Sequence, residues 1–254
     1  MKCFVVVGGS KGIGREFIKQ VIQKKTNRVL LISRTNIDIK SENILHFQTD
    51  LLSNEAIRTT INSIKNLDYK IDSLLFCQKY RPLDDKKRSL REELSVSVES
   101  TKIIIEALRD SFSQKGLKSI VLIGSIASKF VATEQAVDYH IAKSALVGLM
   151  NYYAVSFANK GVRVNMVSPS TTLKDENRDF YKKNHDLYDL YKSVSPQKKL
   201  LKSKNIAELI LYLLSKKSKF VTGQNILIDG GLSLLWQEAV ARNFKNINTI
   251  KLTQ

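Results

Sequence analysis

The chain has few cysteines, prolines and glycines, and each shortage excludes a class of protein. Among 254 residues there are 2 Cys, 3 Pro and 11 Gly. Two cysteines cannot build a disulfide-rich scaffold, and so little Pro and Gly excludes a low-complexity or collagen-like chain. Cys3 and Cys77 both lie in apolar, strand-like runs. We therefore expect two buried thiols in a reducing compartment, rather than a disulfide or a metal pair.

Long hydrophobic runs are also missing. No apolar stretch approaches the roughly 20 residues that a membrane-spanning helix needs. The first apolar run, Phe4 to Val7, stops at Gly8-Gly9 without a cleavage pattern, which favours a buried strand over a signal peptide. We expect a cytoplasmic protein without a membrane partner. Hydrophobic residues make up 43% of the chain, which suits one α/β domain spanning residues 1–254.

Acidic residues are scarce relative to basic ones. The chain has 41 Lys and Arg against 24 Asp and Glu, a formal net charge of +17. Clustered positive charge is typical of nucleic-acid binding, but here the basic residues form short, scattered groups such as Lys86-Lys87-Arg88 and Lys216-Lys217. A solvated lysine-rich surface is the favoured interpretation, with no nucleic-acid partner. An anionic substrate or an acidic protein partner is the weaker alternative.

Short β-branched runs alternate with longer segments of helical period. This alternation predicts a Rossmann-type, doubly wound α/β fold with a seven-stranded parallel sheet and helices on both faces. The predicted strands are Cys3–Val7, Arg28–Ile32, Ile44–Phe47, Ser73–Cys77, Ser119–Ile123, Arg163–Val167 and Asn225–Ile228. The predicted helices are Ile13–Lys25, Asn54–Lys65, Leu90–Phe112, Asp138–Asn159 and Ile206–Ser215.

Two segments break this rhythm. Residues Ser170 to Leu200 are polar, charged and rich in tyrosine, which predicts an inserted lid or binding loop, with a plain surface segment as the alternative. The tail from Leu232 to Gln254 carries an apolar face that includes Leu234, Leu235, Trp236 and Val240. We expect this tail to dock on a neighbouring subunit, with its own domain as the alternative.

A glycine-rich turn joins the first predicted strand to the first helix. Glycines let the backbone approach a pyrophosphate, and the helix N-terminus supplies unpaired N–H groups. The turn lacks the Gly-Lys-Ser/Thr ending of an ATP-binding loop, so its position predicts a dinucleotide site. The residues expected to contact the cofactor here are Gly8, Ser10, Lys11, Gly12, Ile13 and Gly14.

The end of the second strand indicates which dinucleotide binds. Arg34 stands where an acidic residue would hold the ribose hydroxyls of NAD, and a guanidinium suits a 2′-phosphate. Lys11 adds a second cation, so we predict NADP(H) in preference to NAD(H), the alternative being a solvated Arg34. After the third strand, Asp50 and its neighbour Leu51 are predicted to contact the adenine. A helix N-cap is the competing role for Asp50.

Tyr139 and Lys143 lie one helical turn apart, on the same face. A neighbouring ammonium stabilises a phenolate, so Lys143 would bring the pKa of Tyr139 closer to useful acid/base strength and would also hold the nicotinamide ribose. Upstream, Ser125 is presented at the carboxyl edge of the sheet, where open α/β folds bind ligands. Tyr-x-x-x-Lys also occurs by chance, so an ordinary amphipathic helix is the alternative.

Taken in order, these motifs resemble those of the short-chain dehydrogenase/reductase family over nearly the whole chain, and the closing motifs resemble its 3-oxoacyl-carrier-protein reductase branch. They are the glycine turn, Gly124-Ser125, Tyr139-x-x-x-Lys143, Val162-Arg163-Val164-Asn165-x-Val167-x-Pro169, Thr222-Gly223-Gln224 and Asp229-Gly230-Gly231. The resemblance implies hydride transfer between nicotinamide and a carbonyl or alcohol carbon of a small-molecule substrate.

The resemblance also assigns roles to residues. It implies that Ser125 orients the carbonyl, that Tyr139 transfers the proton with Lys143 beside it, and that the protein is a homotetramer or homodimer. It places Cys77, Pro169 and Thr172 against the cofactor. Ser97 stands where the family has an asparagine that organises a water for proton relay, so Ser97 is predicted to hold that water.

Two departures from the family pattern support an alternative. Leu75 to Lys79 replace the family's Asn-Asn-Ala-Gly, and Ser97 replaces its asparagine. These losses motivate a degenerate member that binds NADP(H) as a sensor or scaffold, whereas the intact Ser125, Tyr139 and Lys143 favour an enzyme. The three histidines are too dispersed to suggest a metal site, and no metal is expected.

Overall fold

A seven-stranded, all-parallel sheet forms the centre of the computed structural model, which describes residues 2–82, 84, 88–114 and 116–244. Its strand order is β3-β2-β1-β4-β5-β6-β9, and the direction of winding reverses between β1 and β4. The strands are β1 (Cys3–Val7), β2 (Arg28–Ser33), β3 (Ile44–Gln48), β4 (Ser73–Phe76), β5 (Lys118–Ile123), β6 (Val162–Pro169) and β9 (Asn225–Ile228). The prediction of a doubly wound fold is confirmed.

Helices cover both faces of the sheet. They are α1 (Gly12–Val21), α2 (Asn54–Asn66), α3 (Leu90–Leu94), α4 (Ser100–Leu108), α5 (Val137–Ser156), α6 (Arg178–Lys183), α7 (His185–Val194), α8 (Ser203–Leu213) and α9 (Gln237–Phe244). Alternate residues of β1 enter different cores: Val5 and Val7 pack towards α2, α4 and α5, whereas Phe4 and Val6 pack towards α1 and α8. Burial on both faces explains the continuous apolar strands.

The helix predicted over Leu90–Phe112 is not continuous. A π-helical turn, Ser95–Glu99, separates α3 from α4, and α4 ends at Leu108. Within the turn, side chains reach back to main-chain carbonyls: Ser100 Oγ donates to Val96 O at 2.7 Å, and Thr101 Oγ1 donates to Ser97 O at 2.8 Å. Hydroxyl groups that compete for helical carbonyls distort a helix locally, so this serine-rich stretch forms an irregular turn.

The segment from 170 to 200 contains regular structure that the sequence did not reveal. A short strand, β7 (Thr172–Leu173), pairs in parallel with β8 (Leu201–Lys202), and α6 and α7 lie between them. Tyr181 is buried, and its ring centroid lies 6.0 Å from that of Tyr188 and 6.3 Å from that of Tyr191. The tyrosines that suggested a binding loop therefore pack α6 against α7.

The described part of the tail leaves apolar side chains in solvent. Leu234 is 87% exposed and Trp236 is 69% exposed, so they do not dock on their own domain. Residues 245–254 of the tail lie outside the described residues. Among the described helices, none is long and apolar enough to cross a membrane.

Candidate active site

A cleft of about 1390 Å³ opens at the carboxyl ends of the strands, where the reversal between β1 and β4 separates the neighbouring loops. Most of the residues predicted for the site line it. These are Gly8, Ser10, Lys11, Gly12, Ile13, Arg34, Asp50, Leu51, Cys77, Ser125, Tyr139, Lys143, Pro169 and Thr172. Gly14 and Ser97 are the two predicted residues that do not line it.

The glycine turn packs directly on the loop that follows β4. Gly8 has a φ of +77°, and a Cβ atom there would lie 2.4 Å from the backbone nitrogen of Gln78. No side chain fits at that distance. Gly14 is buried, and a Cβ there would lie 2.6 Å from the Gly9 Cα. Gly14 therefore allows α1 to pack closely against the turn, which explains why it does not face the cleft.

The N-terminus of α1 already holds an anion in this structure. The Gly12 N–H donates to Glu176 Oε1 at 2.7 Å, so a carboxylate from the segment after β7 occupies the position that a pyrophosphate oxygen would take. Arg15, on the next turn, forms ion pairs with Asp38 at 2.5 Å and with Asp175 at 3.5 Å. The glycine turn therefore fits the anionic part of a dinucleotide.

The cations expected at the adenosine end lie together at the rim of the cleft. A hydrogen bond of 2.9 Å between the hydroxyls of Ser10 and Thr35 joins the glycine turn to the end of β2. Lys11 and Arg34, on either side of this contact, are exposed and line the cleft. No carboxylate lies in the stretch from Ser33 to Thr35, so nothing there opposes a 2′-phosphate.

Asp50 does not cap the following helix. Ser53 is the N-cap of α2 and accepts a hydrogen bond from the Ala56 N–H at 3.1 Å. Asp50 Oδ1 accepts from the Leu52 N–H at 3.0 Å, and the side chain is exposed at the cleft. The N-cap alternative for Asp50 is therefore wrong, and its cleft position agrees with a contact to an adenine.

Ser125, Tyr139 and Lys143 meet at the centre of the cleft. Ser125 follows β5, where its Oγ accepts a hydrogen bond from the Ala127 N–H at 3.1 Å. Its hydroxyl lies near enough to the Tyr139 hydroxyl to lower the pKa of that phenol. Lys143 lies one turn further along α5, and its Nζ donates to the Ile123 carbonyl at 2.9 Å. The Nζ lies 5.6 Å from the centroid of the Tyr139 ring. The three predicted residues are therefore one cluster.

The ionisation of this cluster differs from the prediction. Burial raises the pKa of Tyr139, and the nearby Ser125 hydroxyl counters only part of that effect. Burial also lowers the pKa of Lys143 to about 8. The expected lowering of the phenol pKa by Lys143 is therefore not found, because desolvation has the largest effect on the pKa of Tyr139.

The far end of the cleft is formed by Cys77, Pro169 and Thr172. The Cys77 N–H donates to Val7 O at 2.7 Å, and burial raises the pKa of its thiol to about 12, so Cys77 is not a nucleophile. Thr172 Oγ1 donates to Ser170 O at 2.9 Å. Gln78 Oε1, beside this end of the cleft, is buried without a hydrogen-bond partner, so the wall retains an acceptor for an incoming donor.

Ser97 contacts a residue that the sequence did not single out. Its Oγ donates to Glu93 Oε1 at 2.9 Å, and both side chains are buried. Glu93 is therefore a neighbour of the site that was missed, as were Glu176 and the half-buried Lys174. Burial, the largest cause, lowers the pKa of Lys174, and the charges of Lys79 and Arg81 lower it further.

The cleft is strongly basic. Its acidic lining residues are Asp50, Glu134 and Asp229. Its basic lining residues are Lys11, Arg34, Lys79, Arg81, Lys143, Lys174, Lys192, Lys198, Lys199 and Lys202. Within the described chain, no group of three or more His, Cys, Asp or Glu side chains is arranged to hold a metal ion.

Comparisons with known proteins agree with this geometry. A family model described as Enoyl-(Acyl carrier protein) reductase matches residues 14–233. The 3-oxoacyl-(acyl-carrier-protein) reductase FabG of Buchnera aphidicola subsp. Acyrthosiphon pisum is 25% identical over 240 residues, which cover 91% of this chain and 96% of that protein. Carbonyl reductase family member 4 of Xenopus laevis is 28% identical over 244 residues, covering 92% and 98%.

A solved structure shares the whole fold. A short chain dehydrogenase family protein from Francisella tularensis matches with a TM-score of 0.81 and 28% identity, covering 92% of this chain and 100% of that chain. Sheet, glycine turn and cleft define a dinucleotide-binding α/β oxidoreductase. The chain belongs to the short-chain dehydrogenase/reductase family, and it is accordingly an NAD(P)-dependent enzyme. The alternative of a degenerate, non-catalytic member finds no support.

Proposed function

We propose that this protein reduces a carbonyl group with NADPH, with Tyr139 as the general acid, and that the same residues run the reverse oxidation. The observation that carries the proposal is the cluster of Ser125, Tyr139 and Lys143 in one cleft, with the Lys143 Nζ 5.6 Å from the centroid of the Tyr139 ring and the glycine turn lining the same cleft. A bound nicotinamide supplies the hydride. The protein's own residues bind the oxygen and deliver the proton.

Each residue of the cluster has one task. Ser125 donates a hydrogen bond to the carbonyl oxygen and holds it beside the Tyr139 hydroxyl. Tyr139 gives its proton to that oxygen as negative charge develops there, which leaves a phenolate. The Lys143 ammonium stabilises the phenolate by its charge. Since proton transfer of this kind contributes about 10² to 10⁴ in rate, Tyr139 carries the largest single share.

The direction of the pKa changes favours reduction near neutral pH. A phenol with a raised pKa keeps its proton until the carbonyl oxygen needs it. Lys143, with a pKa lowered to about 8, is protonated below that pH and loses its charge above it. Because the uncharged amine no longer stabilises the phenolate, kcat/KM for reduction should hold below pH 8 and fall above it. A pH–rate profile that rises through this range would contradict the assignment.

A preference for NADP(H) over NAD(H) is part of the proposal. Lys11 and Arg34 lie at the end of the cleft where the adenosine ribose would bind, and no carboxylate lies beside Arg34. An Arg fork binds a phosphate bidentately, and such charge-assisted bonds are about twice as strong as neutral ones. The backbone of the glycine turn would hold the pyrophosphate, and Asp50 and Leu51 would contact the adenine.

The substrate is proposed to carry a negative charge. The Lys79 Nζ lies 5.0 Å from the centroid of the Tyr139 ring. Burial lowers the pKa of Lys174, and repulsion from the charges of Lys79 and Arg81, which also line the cleft, lowers it further. An anionic group on the substrate would relieve that repulsion, whereas a neutral substrate would not. Carboxylates, phosphates and anionic carrier-linked thioesters all meet this requirement.

Residues 1–254 are proposed to form one domain. Within it, the segment from 170 to 200 is proposed to cover the substrate. Its residues Lys192, Lys198 and Lys199 line the cleft opposite Tyr139. The carboxylate of Glu176, in the same segment, accepts the hydrogen bond of the Gly12 N–H in this structure. The cofactor must therefore displace that carboxylate when it binds.

A homo-oligomer is also proposed. One face of α5 exposes apolar side chains along its length, namely Val137 at 68%, Ile141 at 42%, Tyr152 at 67% and Val155 at 80%. Exposed apolar groups at both ends of a helix face are normally covered, and a second copy presents the same face. The location in the cytoplasm and the absence of nucleic-acid and membrane partners stay predictions.

The experiment is a turnover assay with matched substrates. Purified protein would be mixed with NADPH and with pairs of carbonyl compounds that differ only in an anionic group. We expect oxidation of NADPH, with kcat/KM higher for the anionic member of each pair. A preference for the neutral members would overturn the substrate class. Oxidation of NADPH without any reduced product would overturn the proposed activity.

A further inference from the structure

A second cavity, of about 550 Å³, lies beside the active-site cleft, between α1, the segment from 170 to 200 and the start of α8. Arg15, Asp175 and Ser203 line this second cavity and do not line the cleft. Lys174 lines both, so its side chain lies in the wall that separates them. The volume falls in the range of small-molecule sites, roughly 300–1,000 Å³, and the proposed reaction makes no use of it.

Positive charge dominates the lining of the second cavity. Its carboxylates are those of Glu16 and Asp175. Its cations are Arg15 and Lys19 from α1, Lys174, Arg178 and Lys182 from the segment from 170 to 200, and Lys202 and Lys204 at the start of α8. The seven cations outnumber the two carboxylates, and such an excess favours an anionic ligand.

The ion pairs of the second cavity leave part of this charge uncompensated. One carboxylate, that of Asp175, is shared by Arg15 at 3.5 Å and by Arg178 at 3.0 Å. Within the described chain, Lys19 and Lys204 form no ion pair. The first turn of α8 carries no acidic side chain, so it does not offset the partial positive charge of that helix N-terminus.

Two buried polar atoms of residues in this lining have no hydrogen-bond partner. They are the Arg15 Nε and the Ser203 Oγ, and the statement holds for the residues that the structure describes. Buried polar atoms normally have a partner, and an exception calls for an explanation such as a bound ligand. Arg15 and Lys19 lie one helical turn apart on one face of α1, and α8, which begins with Ser203, packs against α1. The two unpaired atoms and a free ammonium therefore belong to one corner of the cavity.

The remaining wall of the second cavity is apolar and aromatic. Leu173, Tyr181 and Tyr188 line it, and the ring centroids of the two tyrosines lie 6.0 Å apart. Aromatic walls of this kind bind the apolar part of a small molecule. Because an inorganic anion alone would leave this wall and most of the volume unused, the ligand should carry an organic part.

We propose that the second cavity binds a phosphorylated small molecule, with its phosphate at Arg15, Lys19 and Ser203 and its organic part against Tyr181 and Tyr188. A phosphate group has three strong acceptor oxygens and close to two negative charges. It can accept from a guanidinium, an ammonium and a hydroxyl at once, whereas a carboxylate has two oxygens and one charge. The inference goes beyond the proposed function. A gap between helices that holds only solvent and counterions is the competing explanation.

The test is the binding of phenyl phosphate, which joins a phosphate to an aromatic ring, measured by isothermal titration calorimetry on the whole chain with excess NADPH. Since NADPH then fills its own site, the glycine turn is closed to the probe. We expect one phenyl phosphate per chain, bound about tenfold more tightly than benzoate, which has one charge fewer. Phenyl phosphate that binds only when NADPH is absent, or does not bind at all, would overturn the proposal.

Variants locate the bound probe. Lys19→Gln should weaken phenyl phosphate binding about five- to tenfold and Ser203→Ala about three- to fivefold, since each removes a hydrogen bond to a charged group. Lys24→Gln removes the same charge from an exposed position outside both cavities, and Lys199→Gln removes it from the cleft. Both controls should change binding by less than about twofold.

Two results of the variant series would contradict the proposal. Equal losses in Lys19→Gln and Lys24→Gln would mean that net charge alone attracts the probe. A loss confined to Lys199→Gln would place the probe in the substrate site. Because the Ser203 hydroxyl has no partner in the free protein, Ser203→Ala should unfold at the same denaturant concentration as the parent. If the protein binds no NADPH, the proposed function fails, and the variant series without cofactor still decides whether the second cavity binds phosphate.

Discussion

The two walls of the cleft are held in place by different forces. One wall consists of the ends of β1, β4 and β5, where parallel pairing and two buried cores fix each residue. The other is the segment from 170 to 200, whose internal ion pairs, Asp175–Arg178, Asp179–Lys182 and Asp189–Lys192, are all exposed. Exposed pairs contribute about 0–1 kcal/mol each. The proposed chemistry therefore belongs to the rigid wall, and the proposed cover of the substrate belongs to the weakly held one.

The largest effect should come from disturbing the rigid wall at Gly8. In Gly8→Ala the new Cβ would lie 2.4 Å from the Gln78 backbone at a φ of +77°, so the free energy of unfolding should fall by about 2–4 kcal/mol. Denaturant unfolding measures this.

Gly161→Ala is the matched control. Gly161 has a φ of +69° but only a flexible lysine side chain at 3.7 Å, so its cost should be limited to about 1–2 kcal/mol of backbone strain. Equal losses in the two variants would mean that the contact with Gln78 is unimportant.

Reversing the charge at the adenosine end should have the next largest effect. Arg34→Asp removes the fork proposed for the 2′-phosphate and supplies a carboxylate for ribose hydroxyls. We expect the ratio of NADPH to NADH affinity to fall by about 100-fold. The variant loses a charged hydrogen bond to the 2′-phosphate and gains a carboxylate that repels it, which together cost roughly 3 kcal/mol of binding free energy. Binding titrations with both cofactors measure it. The control is Arg58→Asp, which makes the same change on the exposed face of α2 and should leave the affinity ratio unchanged. An equal shift in this variant would mean that net charge alone explains the effect.

A change in the weakly held wall should have the smallest effect, and it should strengthen cofactor binding instead of weakening it. In Glu176→Gln the side chain at the Gly12 N–H loses its charge, so NADPH competes with a weaker occupant and should bind about three- to ten-fold tighter. Asp179→Asn removes the same charge from an exposed pair in the same segment and should change binding little. Weaker binding in Glu176→Gln would mean that the carboxylate supports the cofactor site.

The difference between the walls also decides what could be predicted from the sequence. Runs such as Ile120 to Ile123 are buried on both faces, so their hydrophobicity shows the strand directly. The helices α6 and α7 were missed because they are short, with 6 and 10 residues, and polar residues interrupt the apolar ones in both. Tyr188 and Tyr191 lie three residues apart on α7, and this spacing was the signal for the face that packs on Tyr181 of α6.

Glu93 was missed for a related reason. Glutamate in a helix usually faces solvent, and nothing in its immediate neighbours suggests burial. The spacing along the helix does suggest burial. Glu93, Ser97 and Thr101 follow one another at four-residue intervals and are all buried, as is Ile104 three residues later. A charged residue that continues a buried stripe is the pattern that would have identified it.

The most direct test of the proposed chemistry is Tyr139→Phe compared with Tyr152→Phe. Tyr152 lies on the same helix and is 67% exposed. Removing the proton donor should lower kcat for carbonyl reduction by about 10² to 10⁴, while NADPH binding and the activity of Tyr152→Phe stay within about threefold of the parent. Retention of half or more of the parental kcat in Tyr139→Phe, with cofactor binding intact, would contradict the account.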